Sequence, residues 1–138
     1  MGRMTSLAQG AFWVASGLWP LVHYRSFEAV TGPKKDDWLV KTTGGLIAVV
    51  GGTLLLSARR REPTREMALL GAAGAVALAW ADVLFVARGK ISKVYLLDVL
   101  AEAPFLAGWA IASLERRRRG VREGYLPVPD DQHLGVGA

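Results

Sequence analysis

The stretch from Ile91 to Leu114, ISKVYLLDVLAEAPFLAGWAIASL, decides the fold that the sequence predicts. It is long and apolar enough to cross a hydrocarbon core of roughly 30 Å as one helix. It nevertheless carries two acids, Asp98 and Glu102, which share one helix face because they are four residues apart. An acid at mid-membrane costs roughly 2.5 to 3.5 kcal/mol on insertion scales unless it is protonated, paired or wetted. The two acids therefore predict polar partners on other helices.

The face that holds these acids repeats at alternating steps of three and four residues. This is the spacing of a helix seam that faces other helices. We therefore expect the face to lie inside a helix bundle. Its members are Ile91, Tyr95, Asp98, Glu102, Phe105 and Trp109.

Three further apolar segments complete the predicted fold class, an all-α integral membrane protein built as a four-transmembrane-helix bundle. In the first loop, a short helical turn is predicted with Ser26 at its cap and Gly32 at its end. Residues 1–119 are expected to form one membrane domain, and residues 120–138 a flexible cytoplasmic tail. The predicted spans are residues 7–24, 38–57, 67–87 and 91–114.

Basic residues are shared unevenly between the two ends of this bundle. Four spans place the N-terminus, the second loop and the tail at one end, which is dense in Arg and is therefore expected to be cytoplasmic. The other end holds fewer basic residues, and acids accompany those of the first loop. Both termini are thus predicted inside, in a multi-pass inner-membrane protein whose abundant Ala, Gly, Val and Arg favour a bacterial origin. The Arg-dense end holds Arg3, Arg59, Arg60, Arg61, Arg65, Arg116 to Arg119 and Arg122.

Composition excludes several function classes. The chain has no cysteine, which excludes disulfides, thiolate metal sites and a cysteine nucleophile. Its net charge of +5 lies in Arg clusters beside apolar segments, which favours membrane lipid over nucleic acid as the partner. No phosphate-binding loop, metalloprotease helix or nucleophile elbow occurs. These absences identify neither a cofactor nor a catalytic residue, and both stay open.

Polar residues lie toward the outer ends of the predicted helices, whereas the inner halves are mostly Ala, Val, Leu and Gly. At about 1.5 Å per residue, Asp82 and Asp98 lie roughly 8 and 10 Å from the outer surface, and Glu102 roughly 16 Å. This distribution predicts an acidic pocket, open to the outer face and closed below by Phe105 and Trp109. The candidate ligand-binding residues are Asp98, Glu102, Asp82, Tyr95, His23 and Lys41.

Each candidate also has a structural interpretation. Asp98 and Glu102 are also explained as neutral or paired acids that fix helix packing. Asp82 has possible partners in Lys41 or Arg88, while Lys41 can extend outward to water. A metal site that combines His23 with the three acids is chemically possible, but no local spacing motif supports it, so no metal is predicted.

Two stripes of small residues predict close helix contacts. The contacts form either within the chain or with a second copy or a larger membrane partner. One stripe lies in the second span and one in the third: Gly44, Ala48 and Gly52, and Gly71, Ala75 and Ala79.

The sequence leaves three functions open. The first is a membrane protein whose acidic pocket binds a small or lipid-like ligand, with a role in transport. The second is a lipid-modifying enzyme, isomerase-like, that uses the acid pair as general acid and base. The third is an accessory subunit of a membrane complex or homo-oligomer. In size and helix number the chain resembles small four-helix membrane families such as the emopamil-binding group, but it carries no motif of theirs, so no site residue is transferred.

Overall fold

The computed structural model describes residues 1–123 and is entirely helical within that range, with no strand. Three of its helices are long and apolar enough to cross a membrane, which confirms the predicted class of an all-helical protein compatible with a membrane location. The predicted tail beyond residue 123 lies outside the described residues. The helices are α1 (Gly2–Val22), α2 (Tyr24–Thr31), α3 (Asp37–Ser57), α4 (Arg65–Ala87) and α5 (Tyr95–Glu123), of which α3, α4 and α5 are the three candidate spans.

Helix α1 has 21 residues, enough to cross a bilayer, but its composition is less apolar than that of the other long helices. Its polar residues include Thr5, Ser6 and Gln9, which are all buried inside the bundle. The expected fourth span is therefore not among the three that length and composition identify.

Several helix boundaries differ from the prediction. Helix α1 begins at Gly2 rather than near Leu7. Helix α5 continues to Glu123, past the predicted end of its span at Leu114 and into the first residues of the predicted tail. Helix α2 begins at Tyr24 rather than at Ser26, because the Nδ1 atom of His23 accepts the backbone N–H of Ser26 at 3.2 Å and caps the helix. Its predicted end is confirmed: Gly32 has a φ of 86°, a conformation that favours glycine. Helix α5 begins at Tyr95 rather than near Ile91, because the preceding turn is held by a bond from the Val94 N–H to the Ser92 hydroxyl.

The most extensive helix contact joins α1 and α3, which run antiparallel with their backbones touching at glycines. A Cβ atom added to Gly44 would lie 2.5 Å from the backbone oxygen of Gly17. One added to Gly51 would lie 2.8 Å from the backbone oxygen of Gly10. The glycines on each helix are seven residues apart, the repeat of a helix seam. The close contact in α3 thus involves Gly51 rather than the predicted Gly52, around which a Cβ would meet no atom within 4 Å.

Helices α4 and α5 form a second pair, and α1 contacts both of these helices. Two indole rings fill the space between α1, α4 and α5, over glycines of α4. A Cβ atom at Gly71 would lie 2.6 Å from Nε1 of Trp109, and one at Gly74 would lie 2.5 Å from the ring of Trp13. Trp13 and Trp109 form the buried core together with Leu54 and Ala75.

The N-terminus, the segment between α3 and α4, and the last turns of α5 meet at one end of the bundle. The terminal amino group lies 3.5 Å from the Glu115 carboxylate, and the Arg3 side chain donates to the carbonyl of Ala58 at 3.0 Å. Arg116 donates to the carbonyl of Pro63, also at 3.0 Å. The Arg-dense segments therefore share one end of the bundle. This is expected when the four long helices, α1, α3, α4 and α5, alternate in direction.

Candidate functional site

Three carboxyl groups from α4 and α5 converge in the half of the bundle away from the Arg-dense end. We call Asp82, Asp98 and Glu102 the acid cluster. The carboxyl groups of Asp82 and Asp98 lie within hydrogen-bonding distance of each other, and Glu102 lies within electrostatic range of both. Asp82 and Asp98 are partly exposed, whereas Glu102 is completely buried. The structure therefore brings together three acids that the sequence places on different helices.

The two carboxyl oxygens of Glu102 have different surroundings. Oε1 accepts the indole N–H of Trp13 at 2.6 Å. Oε2 is buried and has no hydrogen-bond partner among the described residues. A buried polar atom without a partner costs on the order of 1 to 3 kcal/mol, so Oε2 can accept a further hydrogen donor. The Gln9 side chain lies within range of the same carboxyl group.

A buried hydrogen-bond network continues below the acid cluster, toward the Arg-dense end. The indole N–H of Trp109 donates to Oε1 of Gln9 at 2.7 Å, and the Gln9 amide donates to the carbonyl of Gly71 at 2.8 Å. Gln9 is fully buried. These bonds satisfy the polar groups at this depth and, with the two indole rings, close the lower side of the acid cluster.

Gln9 and Trp13 were not identified from the sequence as site residues. A signal for them exists: Gln9 and Trp13 are four residues apart and share a face of α1 with Ser6. That face holds polar groups of a helix whose remaining surface is mostly apolar. It is therefore the face expected to meet the acids of α5.

The start of α5 is covered by the end of α2 and the loop that follows it. The ammonium group of Lys34 lies 5.3 Å from the ring centroid of Tyr95, close enough for a cation–π interaction. The same group donates to the carbonyls of Thr31 and Gly32 at 2.7 and 2.9 Å. Burial lowers the pKa of Lys34, and nearby Glu28 opposes that shift. Lys34 is thus held by carbonyls and an aromatic ring rather than by the acid cluster.

Tyr95 lies between the end of α2 and the acid cluster. Its side chain lies near Thr31 and within electrostatic range of Asp82 and Asp98. Of the six candidate residues, four therefore lie near one another: Asp82, Tyr95, Asp98 and Glu102.

His23 and Lys41 make their contacts elsewhere. The exposed His23 caps α2 through Ser26. Lys41 forms an ion pair with Asp37 at 3.0 Å, one helical turn away, and its ammonium group lies 5.1 Å from the ring centroid of Tyr24. No contact in the described part of the chain joins either residue to the acid cluster, so their role as ligand-binding residues stays a prediction.

The acid cluster has no basic partner within residues 1–123. The ion pairs in that range join exposed groups, and none includes Asp82, Asp98 or Glu102. Within the same range, no group of three or more His, Asp or Glu side chains is arranged to hold a metal ion. Ionised carboxylates this close repel one another, and the repulsion is strong in an apolar environment. The geometry therefore calls for protons or for a ligand that brings hydrogen donors or positive charge.

No protein-family model, curated protein or solved structure matches the chain.

Proposed function

We propose that this chain is a four-span membrane protein of the cell (inner) membrane whose acid cluster binds a small or lipid-like ligand. The ligand carries a positive charge or hydrogen donors and binds Asp98, which is partly exposed, and Glu102, which is completely buried and is reached only when the helices part. Asp82 and Tyr95 shape the wall of the site. Transport of the ligand is one use of such a site.

The observation that carries this proposal is the convergence of three carboxyl groups without a basic partner. Ionisable residues inside membrane spans are rare and costly, and they usually mark a substrate, ion or proton pathway. A purely structural acid pair would have its oxygens satisfied within the fold, as Gln9 does. Oε2 of Glu102 lacks such a partner among the described residues. This unsatisfied oxygen supports a ligand-binding role.

The burial pattern of α1 supports its assignment as the fourth span. Its polar residues Thr5, Ser6 and Gln9 point into the bundle. Apart from Arg3 near its start, the side chains on its exposed face are apolar, and they include Leu18, Trp19, Leu21 and Val22. A helix with polar groups inside and apolar groups outside suits a lipid environment.

Native mass spectrometry of the protein released from mild detergent tests the ligand-binding site. We expect a discrete added mass on the wild-type protein that is absent from the Asp98→Asn/Glu102→Gln double variant. The control variant Asp36→Asn/Glu62→Gln removes two exposed acids outside the acid cluster and is expected to keep the added mass. If neither the wild type nor the double variant carries an added mass, a structural acid pair is favoured. A dimer mass in repeated spectra would favour the accessory subunit or homo-oligomer.

Labelling of single cysteines tests the proposed orientation, since the natural chain has none. We propose that both termini are cytoplasmic, because the end they share is dense in Arg. A membrane-impermeant thiol reagent added outside intact cells is expected to label Lys90→Cys and to leave Glu62→Cys unlabelled until the membrane is opened. Labelling of Glu62→Cys from outside would overturn this orientation.

A further inference from the structure

A second site, separate from the acid cluster, lies at the Arg-dense end between α4 and α5. A cavity of about 900 Å³ opens there on the side of the bundle. Its floor is apolar and its rim carries three guanidinium groups. We call it the Arg-rimmed groove: its rim is Arg65, Arg116 and Arg117, and its floor includes Leu69, Ala72, Leu106 and Ala110.

The groove runs along the helices rather than across them. Arg65 and Ala72 are seven residues apart on α4, which corresponds to roughly 10 Å of helix. Leu106 and Arg116 are ten residues apart on α5, which corresponds to roughly 15 Å. The groove thus begins at a charged helix end and extends into the apolar part of two candidate spans.

The small side chains of the floor create the groove. Ala72 and Ala110 leave space between the two helices where larger residues would meet. Trp109 forms part of the wall, and its indole N–H is already bound to Gln9. The lining is therefore mostly apolar, with the exposed hydroxyl of Ser113 as a polar group one helical turn before Arg117, and its apolar part suits a hydrocarbon chain.

The rim has an excess of positive charge. Arg65 and Arg117 form no ion pair within residues 1–123, and Arg116 uses one N–H group on the carbonyl of Pro63. Glu66 is the acid within electrostatic range of Arg65 and Arg116. Three guanidinium groups against one carboxylate leave a net positive rim, and guanidinium groups bind phosphate through paired hydrogen bonds.

We propose that the Arg-rimmed groove binds one anionic phospholipid of the surrounding bilayer. Arg65 and Arg117 bind the phosphate of the headgroup, and an acyl chain lies along the apolar floor. The volume falls within the range of about 300 to 1,000 Å³ that is typical of small-molecule sites. This site differs from the general attraction of the Arg116–Arg119 run for lipid headgroups, because it pairs specific arginines with a shaped apolar channel.

The experiment adds phosphatidylglycerol or phosphatidylcholine to delipidated full-length protein in non-ionic detergent micelles and counts bound lipids by native mass spectrometry. We expect one phosphatidylglycerol per chain on the wild type, at a concentration at least about tenfold lower than phosphatidylcholine requires. The Arg65→Gln/Arg117→Gln variant is expected to bind phosphatidylglycerol at least about tenfold more weakly. The Arg59→Gln/Arg60→Gln variant removes the same charge at the same end, outside the groove, and is expected to bind as the wild type does.

A second pair of variants tests the floor without changing charge. Ala110 and Ala107 are both exposed on α5, but only Ala110 is among the groove residues. Ala110→Phe is expected to fill the groove and remove the bound lipid, whereas Ala107→Phe is expected to keep it. The Arg65→Gln/Arg117→Gln variant is expected to keep the added mass of the ligand that we propose for the acid cluster. This result would show that the acid cluster and the Arg-rimmed groove are separate sites.

Several results would overturn the proposal. Equal losses in the two Arg variants would mean that only general charge attracts the lipid. Equal binding of phosphatidylcholine would remove the role of the headgroup charge. Displacement of the lipid by millimolar inorganic phosphate would identify a small-anion site, and a dimer mass in place of the lipid adduct would identify a second copy of the chain as the occupant.

Discussion

Gly51→Val is expected to destabilise the protein by about 3 kcal/mol, the upper part of the range for overpacked contacts. A Cβ atom at position 51 would lie 2.8 Å from both the backbone oxygen of Gly10 and the backbone nitrogen of Val14. These atoms belong to the α1 backbone and cannot rotate away as a flexible side chain would. The helices would have to separate, and α1 would lose close packing against α3 along much of its length.

Gly52→Val is the matched control. The two glycines are neighbours on the same helix, but a Cβ at Gly52 meets no atom within 4 Å. Valine also has a higher helix propensity than glycine, so this variant is expected to be neutral or slightly more stable, by less than about 0.5 kcal/mol. Unfolding followed by tryptophan fluorescence in micelles measures both variants. Equal losses at the two positions would contradict the observed α1–α3 contact.

The choice between Gly51 and Gly52 also shows where sequence reasoning reaches its limit. The sequence contains three small residues in α3 at a spacing of four, which predicts a close contact, and a close contact exists. The register depends on the partner helix. Gly10 and Gly17 of α1 are seven residues apart, and an antiparallel helix that matches them brings Gly44 and Gly51 into contact. Such pairing is a property of two helices together and is not visible in either one alone.

More of the acid cluster than of the helix packing could be predicted from the sequence. The polar face of α5 follows from its own spacing, and the cost of a charge in the membrane implies that Asp98 and Glu102 need partners. The sequence assigned Asp82 to the same outer half by depth, and the structure brings it to Asp98. Trp13 and Gln9 were missed because their spacing with Ser6, which marks one polar face of α1, was not used to predict contacts with α5.

His23 and Lys41 show why the position of a residue along a predicted span does not by itself identify a site residue. Both lie toward the end of the bundle opposite the Arg-dense end, as the sequence indicates, but each bonds to a neighbour in sequence. The imidazole of His23 caps the helix that begins beside it, and Lys41 reaches Asp37 at the preceding turn. Residues close in sequence compete with tertiary partners for the same hydrogen bonds and ion pairs. They lose little conformational entropy on pairing, because the chain already holds them close together.

Glu102→Ala is expected to destabilise the protein by about 3 kcal/mol, whereas Glu102→Gln is expected to change the free energy of unfolding by less than about 1 kcal/mol. Alanine removes the acceptor of the Trp13 indole N–H and leaves a cavity in a site with no solvent access. Glutamine keeps an oxygen for Trp13. It also places an amide donor where Oε2 now has no partner among the described residues, within range of the Asp98 carboxyl group.

A double-mutant cycle with Trp13→Phe isolates this bond. If Trp13 and Glu102 act through one hydrogen bond, the losses from Trp13→Phe and Glu102→Ala are expected to fall short of additivity by about 1 to 3 kcal/mol. Additive losses would mean that the 2.6 Å contact contributes little to stability. A loss with Glu102→Gln as large as with Glu102→Ala would mean that the charge of Glu102 holds the fold. The expected tolerance of glutamine also makes the Asp98→Asn/Glu102→Gln variant a test of ligand binding. Its bundle is expected to stay folded, whereas the carboxyl groups that we propose as the ligand-binding groups are gone.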